Sequence, residues 1–164
     1  MEGVVPTHAP AMDIQVPSNL ERYLYDLAGG NPDRVRGWQE ILRRDGRIEL
    51  PDDLRERARA DFASGWIDDS TVEQTIRTVH RHQGLVIDPH TAVAWEVGRR
   101  LRRPGEILVT IAPAHPAKFG DVVRTALGFD PDLPAELAHL MDLPERALSI
   151  PNDYDALLGL LKRV

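Results

Sequence analysis

Apolar residues recur at helical spacing through most of the chain, and at two places that spacing collapses into short unbroken runs. Leu20, Leu24 and Leu27, with Tyr23 beside them, form one stripe. Val35, Trp38, Ile41 and Leu42 form a second, and Leu54, Ala58 and Phe62 mark a third within a very charged stretch. Val72, Ile76 and Val79 follow, then Val93, Val97 and Leu101. Steps of three and four predict amphipathic helices with these residues turned inward. The two unbroken runs, 85–87 and 107–111, are too short for helices and predict buried strands. Residues 12–16 alternate as Met-Asp-Ile-Gln-Val and predict a further strand, closed by Pro17. The span 85–111 therefore reads as strand, crossover helix and strand, parallel and right-handed.

Local signals sharpen the boundaries. Ser18 with Glu21, and Ser70 with Glu73, have the spacing of capping boxes. Asp88 followed by Pro89 predicts an N-cap and first helical position, and Pro32 opens another helix. Gly29, Gly30, Gly46, Gly65, Gly84 and Gly128 are predicted stops. Residues 2–10 read as an extended segment and 47–50 as a brief extended piece. After Lys118 a helix is predicted to Leu127, then others over 134–141 and 154–163. Roughly seven helices against three or four short strands make an α/β class with a meagre sheet. The prediction is a single partial domain over residues 1–164, a helix-rich, incomplete parallel-sheet unit.

Composition narrows the function classes. The 164 residues carry a net charge of -6 with mixed signs, which argues against a nucleic-acid footprint. The cluster Arg99, Arg100, Arg102 and Arg103 falls at a helix end, where basic residues complement the macrodipole. Without cysteine there is no disulfide, thiolate metal site or cysteine nucleophile. No apolar run is long enough to span a bilayer and no basic-then-apolar leader opens the chain, so no membrane partner and a cytoplasmic location are expected. His80 and His82 stand two apart on a helix and diverge, so with Asp88 and His90 they predict no metal site. Ser18, Ser64, Ser70 and Ser149 lack a glycine-flanked elbow. Lys118 and Lys162 are the only lysines, so a Schiff base must use one of them or a lysine from another chain.

Three loops concentrate the remaining chemistry: Ser18 and Asn19 after the first predicted strand, 88–91 after the second, and 113–118 after the third. In open parallel sheets ligands sit at carboxyl ends of strands, where helix amino termini also point, so these loops are expected to converge on one anionic ligand. The phrases Pro-Ala-Met-Asp-Ile-Gln-Val-Pro-Ser-Asn-Leu-Glu-Arg at 10–22, Ile-Asp-Pro-His-Thr-Ala-Val-Ala at 87–94 and Ala-His-Pro-Ala-Lys-Phe at 114–119 closely resemble threonine synthase of the longer bacterial and fungal type. The resemblance runs from about residue 4 to the end, and the charged insert 32–65 fits it.

This resemblance implies the back part of a fold-type II pyridoxal-phosphate (PLP) enzyme, with the tryptophan-synthase β-like fold. The implied reaction, that of a carbon-oxygen lyase in threonine biosynthesis, converts O-phospho-L-homoserine and water to L-threonine and phosphate. The cofactor serves as electron sink while the α-proton leaves, the γ-phosphate is eliminated and water adds at the β-carbon. In the family the Schiff-base lysine and the glycine-rich phosphate loop lie in the amino-terminal part, and Lys118 matches a different lysine. The resemblance thus implies no catalytic residue in this chain and a partner in the form of an amino-terminal portion. Ser18, Asn19, His90, Thr91, Pro113, His115 and Lys118 match positions near the cofactor and the small phosphorylated amino-acid substrate. Pro113 is a departure: the family usually has a hydroxyl residue there, facing the pyridine nitrogen, and proline supplies neither hydroxyl nor N–H. Two readings follow: part of a threonine synthase, or a non-catalytic remnant or binding module of the same fold. The isolated chain is expected to be inactive.

Overall fold

Asn31 accepts hydrogen bonds from the amides of Asp33 and Arg34 at 3.0 and 3.1 Å, and Pro32 presets the first helical φ. From that cap helix α2, Pro32–Asp45, runs to Gly46, whose left-handed φ of 73° closes it. The computed structural model describes residues 4–14, 16 and 18–162. Before α2 lies α1, Leu20–Leu27, and after it α3, Asp52–Asp61. Their apolar stripes meet in one core of Leu24, Leu27, Val35, Trp38 and Leu54, with Tyr23, Ile48, Leu50 and Ala58 packed against it.

A second core forms from the next three helices: α4, Asp69–Gln83, α5, Pro89–Leu101, and α6, Gly120–Leu127. Ile67, Val72, Ile76, Ala92 and Ala126 are its buried members, and Ile87, Val93, Val97, Val122 and Leu127 line it. Leu20, Ile41, Phe62 and Leu101, predicted to face inward, are exposed instead; Phe62 lies past the end of α3, and α5 ends at Leu101 with no layer over its last turn. The chain divides into two units, Met1–Pro131 and Asp132–Val164. The second carries α7, Ala135–Ala138, a 3₁₀ turn at His139–Asp142, and α8, Tyr154–Leu161, whose cap Asp153 accepts from the Ala156 amide at 2.8 Å.

The helical half of the prediction is realised and the strands are not. Among the described residues no strand ladder forms. Residues 85–87 and 107–111 carry the expected apolar runs, but Leu85, Ile107, Val109 and Ile111 are exposed. Residues 10–12 form a 3₁₀ turn, while Gln15 and Pro17, needed for the first predicted strand, lie outside the described residues, as does Arg163 in the last predicted helix. A strand is stable only with a hydrogen-bonded neighbour, and these segments have none among the described residues. Both capping boxes also resolve differently. Helix α1 begins after Asn19 with no side-chain cap. Asp68, not Ser70, caps α4 by accepting from the Thr71 amide at 2.8 Å. A carboxylate two residues earlier outcompetes the serine hydroxyl, which itself donates to Asp68 at 3.0 Å. Helix α3 ends at Asp61, ahead of the predicted stop at Gly65, because Phe62 is already in extended backbone.

Candidate functional site

Asp88 organises the amino end of α5. Fully buried, it accepts from the His90 amide at 2.9 Å and from His90 Nδ1 at 2.9 Å through one oxygen, and from the Thr91 hydroxyl through the other. His90 Nε2 in turn accepts from the backbone amide of Ala11 at 3.2 Å. An imidazole nitrogen that accepts from an N–H carries no proton, so Nδ1 is the protonated atom and donates to Asp88. The His90 ring packs on Phe119, with centroids 4.7 Å apart at 58°. Phe119 closes the 3₁₀ turn Pro116–Phe119, so the second and third sequence-predicted loops meet here.

The residues preceding α1 are pinned to the same place. Asp13 accepts from the Thr7 amide at 2.9 Å and the Thr7 hydroxyl at 2.7 Å, folding residues 7–13 into a loop. The His8 amide donates to Asp69 at 2.8 Å, Ala9 is buried, and Ala11 holds His90. Of the segment predicted as extended, Glu2 and Gly3 lie outside the described residues, and residues 7–10 become, with Ala11, a strap over the amino ends of α4 and α5.

His115 has the opposite tautomer from His90. Its Nδ1 accepts from the Ala117 amide at 3.2 Å, which leaves the proton on Nε2, at an exposed edge. Lys118, on the same turn, is also exposed. Together an imidazole N–H and an ammonium on one short turn suit a phosphate-bearing anion. Pro113, just before, is exposed and offers no donor. Ser18 and Asn19 are exposed at the start of α1, where Ser18 lines a cleft between α1 and α2 with Arg22, Tyr25, Arg36 and Arg43. Of the sequence-predicted residues, then, His90 and Thr91 are internally satisfied, whereas Ser18, Asn19, His115 and Lys118 present polar side chains outward.

Farther along α5, Glu96 is gripped by Arg99 at 2.8 and 2.9 Å and by Arg100 at 2.7 Å. The Arg99 hydrogen bonds, partly offset by burial, hold its carboxyl at about 2, well below the usual carboxylate range. The arginine cluster therefore anchors a buried acid as well as the helix end. Among the described residues no group of three or more histidine and carboxylate side chains gathers to hold a metal, and no helix is long and apolar enough to cross a membrane.

Sequence reasoning missed Phe119 and Ala11 as neighbours of His90. Ala11 lies 79 residues away and donates only through its backbone, so no local signal marks it. The spacing of Asp88 and His90, by contrast, is itself a legible motif, a cap bonded to the residue two ahead.

Known proteins resemble the chain in sequence and in fold. The family model for the threonine synthase C-terminal region matches residues 91–159. Threonine synthase of Pseudomonas aeruginosa is 38% identical over 150 residues, covering 90% of this chain and 32% of that protein. A PLP-bound threonine synthase from Brucella melitensis superposes with a TM-score of 0.88 at 33% identity, over 99% of this chain and 35% of that one. The yeast enzyme gives 0.81 at 29% identity, over 99% and 37%. The chain thus spans about a third of the length of the relatives it matches. A fold-type II architecture accounts for unpaired strand segments beside well-formed helices, and by sequence and fold alike the chain is similar to the carboxy-terminal portion of threonine synthases.

Proposed function

We propose that this chain serves as the carboxy-terminal part of a cytoplasmic threonine synthase, acting in the conversion of O-phospho-L-homoserine and water to L-threonine and phosphate. The observation that carries the reading is the match over nearly the whole chain to a PLP-bound threonine synthase. The exposed Nε2–H of His115 and the ammonium of Lys118 would hold a phosphate group of cofactor or substrate. Ser18 and Asn19 would add hydrogen bonds from the start of α1. His90 and Thr91, saturated by Asp88 and Ala11, are positioning residues: they fix the amino end of α5 against Phe119 and so aim the His115 turn.

Bound pyridoxal phosphate would supply an electron sink for loss of the substrate α-proton. Its lysine would come from an amino-terminal portion, so the isolated chain contributes binding and orientation but no catalytic residue. Pro113 gives the second reading its support, since it leaves no hydroxyl for the pyridine nitrogen; on that reading the chain is a non-catalytic remnant or binding module.

Phosphate release from O-phospho-L-homoserine tests both. With PLP present, the purified chain alone should release none. Addition of a lysine-bearing amino-terminal portion of a threonine synthase should restore release and the cofactor's visible absorbance. Turnover by the chain alone would overturn the proposal, and silence with the added portion would favour the remnant.

A further inference from the structure

Helices α4 and α5 form between them a polar groove of about 320 Å³, with Gln74, Thr75 and Thr78 on one wall and Trp95, Glu96, Arg99 and Arg100 on the other. Buried Glu96 fixes both arginines. Arg99 uses Nε and Nη2 on its two oxygens, whereas Arg100 reaches it through Nε alone, at 2.7 Å. Among the described residues the terminal nitrogens of Arg100 make no hydrogen bond, and neither do the side chains of Gln74 and Thr78. Arginines that served only the helix macrodipole would need no buried acid to hold them. A guanidinium tethered at Nε, with two terminal nitrogens left over, is a donor fork kept in place for an oxyanion.

The charge balance selects the anion. Two guanidiniums against one carboxylate leave the groove with a surplus of positive charge. Gln74 and Thr78 also line an adjoining groove with Arg77 and Arg81. Arg77 pairs with Glu73 at 3.4 Å, but Arg81 has no ion pair among the described residues. Cationic groups in need of an anion therefore flank the same two neutral hydrogen-bonding side chains. A groove at the low end of the roughly 300–1,000 Å³ of ligand clefts takes a metabolite-sized molecule, not a polymer. Going beyond the function proposed above, we infer that this groove binds a small phosphate monoester. Arg100, Gln74 and Thr78 hydrogen-bond its phosphoryl oxygens, Arg81 answers its second charge, and Trp95 covers its organic body. A monocarboxylate would leave Arg81 unanswered.

Isothermal titration calorimetry of the full chain tests the site, in a Lys118→Gln background so that the ammonium of the His115 turn contributes nothing. The probes are O-phospho-L-serine, inorganic phosphate and succinate. O-phospho-L-serine should bind at least about threefold tighter than the other two and change the tryptophan emission, a response that Trp95→Phe should abolish. Arg100→Gln should weaken its binding by at least about tenfold and Arg81→Gln by about threefold. Arg100→Lys, which keeps the charge and loses the fork, should fall between Arg100→Gln and the parent. Arg81 and Arg100 are exposed, so circular dichroism should be unchanged in these variants. No saturable binding of any probe at about 10 mM, or binding that Arg100→Gln changes by less than about twofold, would overturn the site. Equal affinity for inorganic phosphate would overturn the ester in favour of the free ion, and tighter succinate would overturn phosphate altogether. Since Lys118 is replaced throughout, none of these failures bears on the phosphate contact proposed for the His115 turn.

Discussion

At Asp88 one carboxylate satisfies a backbone amide, an imidazole N–H and a hydroxyl, all out of water. Its removal would cost the cap, about 1 kcal/mol, and strand buried donors on His90 and Thr91 at about 1–3 kcal/mol. Asp88→Ala should therefore lower stability by about 2–4 kcal/mol in urea unfolding, and Asp88→Asn by less. Glu96 gives a prediction in pH. Its carboxyl is depressed from 4.5 to about 2, so it contributes stability that is fully present above pH 4.5 and is lost as pH falls toward 2. The shift corresponds to about 3 kcal/mol at most. Arg99 and Arg100 are 63% and 48% exposed, so screening reduces the expected value to about 1–2 kcal/mol. Glu96→Gln should flatten the acid limb of a stability profile between those two pH values; an unchanged limb would refute the assignment. Asp88 was legible as a cap because capping is a local rule. The role of Ser18 was not, since its identity says nothing of whether the backbone will turn one residue later, and in the structure α1 starts past Asn19.

Helices α1 to α5 follow most of the apolar stripes of the sequence, because α1 to α3 share one core and α4 meets its next neighbour α5, and several ends have a residue suited to them, such as Gly46 and Gly84 in left-handed backbone. The segments read as strands could not be checked by the same logic: periodicity reports that a face will be buried, and says nothing about which chain buries it. The contact between α5 and the following run yields a mutational test. Gly98→Ala improves helix propensity by up to about 1 kcal/mol while pushing aside the mobile methyl end of Leu108. Thermal unfolding should show stability within about 1 kcal/mol of the parent. Gly98→Val, bulkier and β-branched, should instead destabilise by about 1–3 kcal/mol, as overpacking does. Equal effects of the two would show that Leu108 is not seated on this glycine.

Taken whole, Met1–Pro131 rests on two separate three-helix cores instead of one, and several large apolar side chains, including Trp66, Ile107 and Val109, stand open. Exposed surface of that kind drives association. The isolated chain is expected to form oligomers or aggregates at micromolar concentration, and a monodisperse monomer in light scattering would contradict this. The likeness to threonine synthase was readable in three phrases because they are the loops and caps whose backbone geometry depends on particular residues. The strap at residues 7–11 has a practical corollary. Since it is fastened beside His90 and within one ring contact of Phe119, a fluorophore attached at the exposed Val5 would start from a known address near the His115 turn. Energy transfer from that dye to a label on an added portion would measure assembly without disturbing either helical core.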